Sequence, residues 1–362
     1  MGEAVTNVSG ARVQRANDKV LRADHAPAGD CTTEWVTGRR NAIADVPGIR
    51  VGHWTDRRAA TGCTVVLCDG ATAVAVDARG GAPGTRETDV LSQSNLVRTA
   101  HAIVFAGGSA FGLAAADGVM RWCAEREIGF GTAARKVPIV PAAVIYDLNV
   151  GDPVAFPDAA AGYNAASRAK GGVVAEGSVG AGTGATVAKL LGLETMLKGG
   201  VGSASVVGPR GLIVGALVVV NAVGSIFDPD TGECVAGPRT DDGAGFVPLA
   251  ELMLRRTARM DSLLENTTLM CVATNAALEH HQLQRIAIQA HDGFARVVAP
   301  AHTFGDGDVS FAVAMGQVPV QEYDALTVGM MASRAVEQAI LRAVRLAKGV
   351  AEAPGVSEVA RP

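Results

Sequence analysis

Asn266-Thr267-Thr268 is the segment of this sequence with the clearest potential for chemistry. A Thr hydroxyl is a poor nucleophile unless a base lies close to it. When Thr is the first residue of a chain, its own α-amino group, which titrates at about pH 8, serves as that base. Thr267 is internal, so this chemistry requires a cut at the Asn266–Thr267 bond. The alternative is a simple turn into a buried strand.

The elements that must position Thr267 are strands and helices in alternation. Apolar, β-branched runs predict strands at 63–68, 73–77, 102–105, 212–220, 269–274 and 309–313, and apolar spacing predicts helices at 109–126, 279–290 and 325–348. This order predicts helices outside stacked sheets. Residues 1–40 are polar and patternless, which predicts a flexible arm. The pattern of residues 235–266 predicts a linker with one short helix near 249–259. A cut at the end of this linker, at residue 266, would leave the buried core intact.

The composition is that of a large globular protein. Hydrophobic residues make up 48% of 362 residues and charged residues 19%, while aromatic residues are only 4% and Gly totals 44. We therefore expect a core of small and β-branched side chains with many tight turns. The net charge of −4 and the lack of a basic stripe argue against nucleic acid as a partner.

The six cysteines lack CxxC spacing and most lie in apolar runs, which predicts free thiols in a reducing compartment. The first twenty residues lack an apolar signal segment, and the longest apolar stretch, 212–220, is too short to span a bilayer. We therefore expect a cytoplasmic protein without a membrane partner. No metal site is expected, because Glu279 and His280-His281 do not form an HExxH motif. His291 and His302 are interpreted as structural.

Two glycine-rich turns invite comparison with catalytic motifs. The strand 102–105 is followed by Gly107-Gly108-Ser109, but a nucleophile elbow needs Gly two residues after the Ser, where the sequence has Phe111. The same turn lacks the glycine spacing of a dinucleotide fingerprint. The loop 177–184 has no following GK[ST], so it is not a P-loop. Nucleotide chemistry is therefore not predicted.

Five motifs occur together and in order, and their set resembles the DmpA-type aminopeptidase family, which includes β-peptidyl aminopeptidases and nylon-oligomer hydrolases. The motifs are Arg79 to Thr88, Phe105 to Leu113, Lys198 to Gly202, Asn266-Thr267-Thr268, and His302-Thr303 through Asp308. The resemblance implies an α+β fold, specifically a four-layer αββα sandwich that cleaves itself. It implies a large chain of residues 41–266, a small chain of 267–362 that completes the same domain, a homo-oligomer and no cofactor.

The resemblance also assigns roles residue by residue. Thr267 would be the nucleophile, with its freed α-amino group as general base, and the family register selects it over Thr268. Asn221, at a predicted strand end, would stabilise the oxyanion, a role worth about 3 kcal/mol for one donor. Asp306 and Asp308 would hold the α-ammonium and tune the base. From the residues alone, the preferred interpretation of this acidic pair is an ordinary polar turn.

Three further assignments follow, and the first two leave alternatives open. Tyr146 would contact the oxyanion or the substrate, unless it is a core Tyr that bonds a backbone carbonyl. Lys189 matches a lysine of the nylon-hydrolase branch, whereas the aminopeptidase branch points to Lys198; either would otherwise be a solvated loop lysine. Gly107-Gly108-Ser109 would bind substrate.

The predicted activity is an amide hydrolase that cuts itself between Asn266 and Thr267. It would then act through an acyl-enzyme on Thr267 as an aminopeptidase or amidase on short peptides or aminoacyl amides. A Thr nucleophile with two Asp residues is closer to the nylon-oligomer endo-amidases, which are the main alternative. Acyl transfer of the ornithine-acetyltransferase kind is a second alternative, and Asn266 and Thr268 argue against it. A binding protein with an intact chain is the non-enzymatic alternative.

Overall fold

The computed structural model describes residues 35–243, 245–255, 266–321 and 324–359. Most of the predicted arm, residues 1–34, lies outside this range, as do residues 256–265 of the predicted linker. The last residues assigned to the arm are ordered against the main body. Thr37 pairs with Val206, and Gly38 N donates to Ser205 O.

Ten strands form two five-stranded sheets within these residues. They are β1 (Ile49–Asp56), β2 (Thr61–Cys68), β3 (Ala73–Ala78), β4 (Thr85–Arg86), β5 (Ala102–Ala106), β6 (Ala142–Val144), β7 (Gly200–Val207), β8 (Ile213–Asn221), β9 (Thr267–Ala276) and β10 (Val309–Val318). The first sheet has the order β1-β2-β5-β6-β4 and the second β7-β8-β9-β10-β3. Only the β5–β6 and β9–β10 neighbours are parallel in these two sheets.

Five α-helices accompany the sheets in the described residues: α1 (Ala115–Ala124), α2 (Ala159–Ser167), α3 (Leu249–Arg255), α4 (His280–Val297) and α5 (Asp324–Leu346). Shorter strands lie at Phe130–Gly131, Lys136–Val137, Thr186–Val187, Leu197–Lys198, Ser225–Phe227, Cys234–Ala236 and Val298–Ala299. Short 3-10 turns lie at Ile43–Asp45, Asp89–Leu91, Ser109–Ala114, Gly180–Gly182, Leu193–Thr195, Pro209–Gly211 and Val356–Glu358.

The two sheets share one apolar core. Phe105 of the first sheet and Phe311 of the second lie in it, with ring centroids 6.0 Å apart, together with Leu217 and Leu269. The opposite face of the second sheet packs against α4 and α5. The opposite face of the first sheet packs against α1 and α2. β9 is therefore covered on both faces, and all ten of its residues are buried.

Small residues let the helices approach the sheets closely, as the composition predicts. At Gly202 in β7, an added Cβ would collide with the backbone of α5, 2.5 Å from Ala343 N.

The sequence did not indicate how the strands would be shared between sheets. The predicted strands on either side of Gly70 are both present, yet the chain passes there from the first sheet to the second. In the described part of the chain, no helix is both long and apolar enough to cross a membrane.

Candidate active site

The register of three neighbouring strands brings the predicted site residues together. Thr267, the first residue of β9, pairs with Asn221, the last residue of β8. On the other side, Asn266 forms a bridge with Asp306, just before β10 begins. Asn266, Thr267, Asn221 and Asp306 are all buried. One end of the second sheet therefore brings together four residues from three segments that are distant in sequence.

Thr267 and Thr268 face opposite sides of the sheet. Leu269 lies in the core between the sheets and Met270 in the core under the helices, so strand alternation directs Thr267 between the sheets. The same parity places Asn221 on the face of Val219, which is also between the sheets. Thr267 and Asn221 thus share a face.

The Asn266–Thr267 peptide bond is held in a defined geometry. The Thr267 hydroxyl donates to the Asn266 carbonyl oxygen over 2.6 Å, and the Gly307 amide donates to the same oxygen over 2.8 Å. A Cβ on Gly307 would lie 2.7 Å from Thr267 Oγ1. A side chain at position 307 would therefore occupy the space that this hydroxyl uses.

The orientation of the Asn221 amide is fixed by its neighbours. Asn221 Oδ1 accepts from the Thr186 amide at 2.9 Å and from Lys189 Nζ at 3.1 Å. Because both partners donate, the oxygen must face them, and the amide nitrogen donates to the Tyr146 carbonyl at 3.0 Å. Lys189 and Tyr146 therefore lie beside Asn221, Tyr146 through its backbone.

The other candidate lysine has a different environment. Lys198 Nζ is fully buried and donates to the carbonyls of Gly182, Thr183 and Ala185, at 3.2 and 2.8 Å for the first two. Burial lowers the pKa of Lys198 to about 7, and the nearby charge of Asp147 opposes that shift. Three carbonyl acceptors favour the charged ammonium. Lys198 thus holds the glycine-rich loop in place, and Asn221 is not among the hydrogen-bond partners of its ammonium group.

The two predicted aspartates accept hydrogen bonds from backbone amides. Asp308 Oδ1 accepts from the Thr268 amide at 2.7 Å, and Asp306 Oδ2 accepts from the Thr303 amide at 2.7 Å. Burial and then the charge of Asp308 raise the pKa of Asp306 to about 6, while the charge of Lys189 acts in the opposite direction. Asp306 Oδ1 is buried and has no hydrogen-bond partner among the described residues.

Gly107-Gly108-Ser109 contacts the segment that carries Tyr146. The Gly108 amide donates to Asp147 Oδ1 at 2.6 Å, and the Ser109 amide donates to the Ile145 carbonyl at 3.0 Å. Asp147 was not predicted, although it directly follows Tyr146 at the end of an apolar run. Burial raises the pKa of Asp147 to about 6, and the Gly108 amide and the Thr61 hydroxyl oppose the shift.

The loop of the Arg79–Thr88 motif lies against the acidic turn. The Arg79 amide donates to the Asp308 carbonyl at 2.9 Å, and the Ala82 amide donates to the Asp306 carbonyl at 2.8 Å. Gly80 has no room for a Cβ beside these two aspartates. Two of the sequence motifs therefore form one wall of the site.

His302, which the sequence analysis interprets as structural, contacts one of the predicted aspartates. Its Nδ1 lies 2.9 Å from Asp308 Oδ2. The signal that was present is its place at the start of the same motif as Asp306 and Asp308. The described residues hold no cluster of three or more His, Cys, Asp or Glu side chains arranged to bind a metal ion.

A sequence profile of the family described as "Peptidase family S58" matches residues 41–357. The chain belongs to peptidase family S58. It is therefore a member of a family of peptide and amide hydrolases. The match begins where the predicted arm ends and includes both aspartates and the Asn266–Thr267 bond.

Curated S58 relatives include aminopeptidases and nylon-oligomer hydrolases. An uncharacterised aminopeptidase of Mycobacterium leprae is 45% identical over 343 residues, which are 87% of this chain and 92% of the relative. A 6-aminohexanoate-oligomer endohydrolase of Kocuria sp. is 30% identical over 321 residues, which are 85% and 87% of the two chains.

Solved structures show the same fold. A β-aminopeptidase of Burkholderia sp. superposes with a TM-score of 0.67 at 25% identity, covering 89% of this chain and 92% of that chain. The L-aminopeptidase D-Ala-esterase/amidase of Ochrobactrum anthropi gives 0.65 at 22% identity, covering 88% and 89%. The latter is described as a variant of the Ntn hydrolase fold. The chain therefore shares the fold of this structure, with mixed helices and sheets.

We predict that Lys198→Met destabilises the fold, because it removes the ammonium donor from the buried carbonyls of Gly182 and Thr183, whereas the Ala185 carbonyl keeps the Gly199 amide. Urea unfolding should show a loss of about 2 kcal/mol or more, since each unsatisfied buried group costs about 1–3 kcal/mol. Lys136→Met, at an exposed position, is the control and should leave the midpoint unchanged. A stable Lys198→Met protein would contradict the structural role of this lysine.

Proposed function

We propose that this S58 member is a self-cleaving amide hydrolase that cuts its own Asn266–Thr267 bond and then uses Thr267 as an N-terminal nucleophile. The observation that carries the proposal is the double hydrogen bond on the Asn266 carbonyl oxygen, from Thr267 Oγ1 at 2.6 Å and Gly307 N at 2.8 Å. The hydroxyl that must attack lies at the bond, and a backbone donor already polarises its carbonyl.

The proposed cleavage uses these two contacts and assigns the proton to Asp306, whose buried Oδ1 has no hydrogen-bond partner among the described residues. Thr267 Oγ1 attacks the Asn266 carbonyl carbon, its proton passes to the Asp306 carboxylate, and the carbonyl electron pair moves onto oxygen. The Gly307 amide stabilises that oxyanion, a contribution worth about 3 kcal/mol in other enzymes. The C–N bond then breaks as the nitrogen takes up the proton. Water hydrolyses the resulting ester and leaves Thr267 with a free hydroxyl and a free amine.

The same residues support turnover of a substrate. The α-amino group of Thr267 accepts the hydroxyl proton as the oxygen attacks a substrate carbonyl, and it returns the proton to the leaving amine. We assign oxyanion stabilisation to the Asn221 amide, whose oxygen is held by Thr186 and Lys189. Tyr146 is a second donor candidate in this proposal. Water finally resolves the acyl-enzyme.

The proposed substrates are short peptides or aminoacyl amides with a free amino end, as the names of the aminopeptidase relatives indicate. Linear 6-aminohexanoate oligomers are the second candidate, favoured by the relative that hydrolyses them and by the combination of Thr267 with two aspartates. Assaying both substrate classes with the processed protein separates the two candidates.

We further propose that the layers form the αββα sandwich, with the two sheets inside and the paired helices outside. A homo-oligomer of processed units fits the exposed apolar side chains, among them Leu96, Phe111 and Phe304.

We predict that freshly purified wild-type protein consists of two chains that meet at Asn266/Thr267, and that Thr267→Ala stays as one chain. Intact-mass spectrometry measures both. Thr267→Ser, which keeps a hydroxyl, should still be cut.

Thr268→Ala is the matched control, because its hydroxyl faces the helices and has no hydrogen-bond partner among the described residues. It should be cut at the same bond as the wild type. A wild type that stays at full length under all conditions would overturn the proposal. A cut at the Thr267–Thr268 bond that is lost in Thr268→Ala would reassign the nucleophile to Thr268.

We predict that self-cleavage slows as the pH falls below about 6, because Asp306 accepts the proton only as a carboxylate and its pKa is raised to about 6. Asp306→Asn should slow the reaction by about 10²–10⁴-fold, as expected for loss of a general base. The cleavage rate is measured by time-resolved mass spectrometry after folding at each pH. The exposed loop variant Asp89→Asn is the control, and a pH-independent wild-type rate would exclude this role.

A further inference from the structure

A buried polar cluster lies behind the start of β9, on the face turned towards the helices. His302 Nδ1 lies 2.9 Å from Asp308 Oδ2, and the His302 amide donates to the same oxygen at 3.3 Å. The other oxygen of Asp308 accepts from the Thr268 amide at 2.7 Å. One carboxylate therefore joins His302 to the residue next to Thr267.

The protonation pattern of the cluster follows from its partners. A carboxylate only accepts, so His302 Nδ1 carries the proton in this contact. The ring of His291 lies 4.8 Å from that of His302, edge to face, and its Nε2 donates to the Asp77 carbonyl at 3.1 Å. Burial lowers the pKa of His291 to about 4, so it is neutral at physiological pH.

We infer that His302 is a positioning residue that holds Asp308, and through it the start of β9, in the arrangement that Thr267 needs to react. The inference rests on the proposed function of Thr267. The contact is mostly shielded from solvent, since the side chain of His302 is 22% exposed and that of Asp308 is 1% exposed. An N–H donor to a buried carboxylate is among the stronger hydrogen bonds in proteins.

The charged and titratable groups around His302 come from three elements. Asp308 and Asp306 lie on its own turn, and His291 packs against it from α4. Asp77 of β3 lies 3.5 Å from His291 Nε2 and is paired with Arg79 at 2.6 Å. The direct partner of His302 among these groups is Asp308. Loss of the His302 donor should leave more of the Asp308 charge uncompensated beside Asp306, and that charge already raises the pKa of Asp306.

The backbone of His302 permits two informative substitutions. Its φ is +53°, a left-handed conformation that Asn and Gly adopt more readily than other residues. His302→Asn keeps an N–H donor at nearly the position of Nδ1, whereas His302→Gly removes the donor without adding backbone strain. The pair therefore separates loss of the hydrogen bond from distortion of the turn.

The first experiment compares the pH dependence of self-cleavage in the wild type and these two variants. His302→Asn should retain the wild-type rate within about threefold. His302→Gly should be at least about tenfold slower at pH 6, with its acid limb about one pH unit higher, as expected for the loss of a charge-assisted hydrogen bond. A lower Tm for His302→Gly with an unchanged acid limb would overturn the positioning role.

The second experiment uses the uncut Thr267→Ala full chain and therefore does not depend on cleavage. Nitrogen-15 NMR of the His302 ring, identified by its loss in His302→Asn, should show a protonated Nδ1. Asp308→Asn should shift the tautomer balance towards protonated Nε2, and an unchanged spectrum would overturn the link. If the link is present but the wild type never cleaves, the proposed function fails while the His302–Asp308 contact is supported.

Discussion

The register of β8, β9 and β10 is the constraint on which the candidate site depends. Because Thr267 begins β9 opposite the last residue of β8, Asn221 lies beside it on the same face. Because β9 and β10 run parallel, the turn before β10 places the Gly307 amide on the Asn266 carbonyl. A shift of one residue would turn Thr267 towards the helices and away from Asn221.

The residues of the candidate site are distributed over the two faces of this sheet. The face between the sheets holds Thr267 and Asn221, and the segment that follows β6 contacts Asn221 through the Tyr146 carbonyl. The face under α4 holds Asp308 and His302. Burial makes each polar contact stronger and each missing partner more costly, so both sets are hydrogen-bonded closely. Backbone amides supply several of these bonds, so the geometry of the candidate site depends on the positions of the strands.

Part of this could be predicted from the sequence. Asn266-Thr267-Thr268 before a β-branched run indicated the nucleophile candidate, whereas Asn221, Asp306 and Asp308 were assigned through the resemblance of five ordered motifs to the family. The choice between Lys189 and Lys198 could not be made, since both lie next to glycine-rich segments and only the folded loop shows which one bonds Asn221. The contact between His302 and Asp308 could not be predicted for a similar reason. A single His gives no spacing signal, and its partner is defined by a turn with positive φ.

Strand pairing between distant segments was also beyond the sequence. The runs on either side of Gly70 are both buried strands, and alternation alone does not reveal that they belong to different sheets.

Family membership identifies the class of reaction, while the hydrogen bonds on the Asn266 carbonyl motivate the role of Thr267.

The most direct test of the central claim is to locate the acyl group on the processed protein. Purified two-chain protein is incubated with a slowly hydrolysed acylating ester, quenched in acid and mapped by tandem mass spectrometry. We expect one acyl group per small chain, on the hydroxyl of Thr267 and absent from Thr267→Ala. Acylation of Thr268 or of another residue, with Thr267 unmodified, would contradict the account.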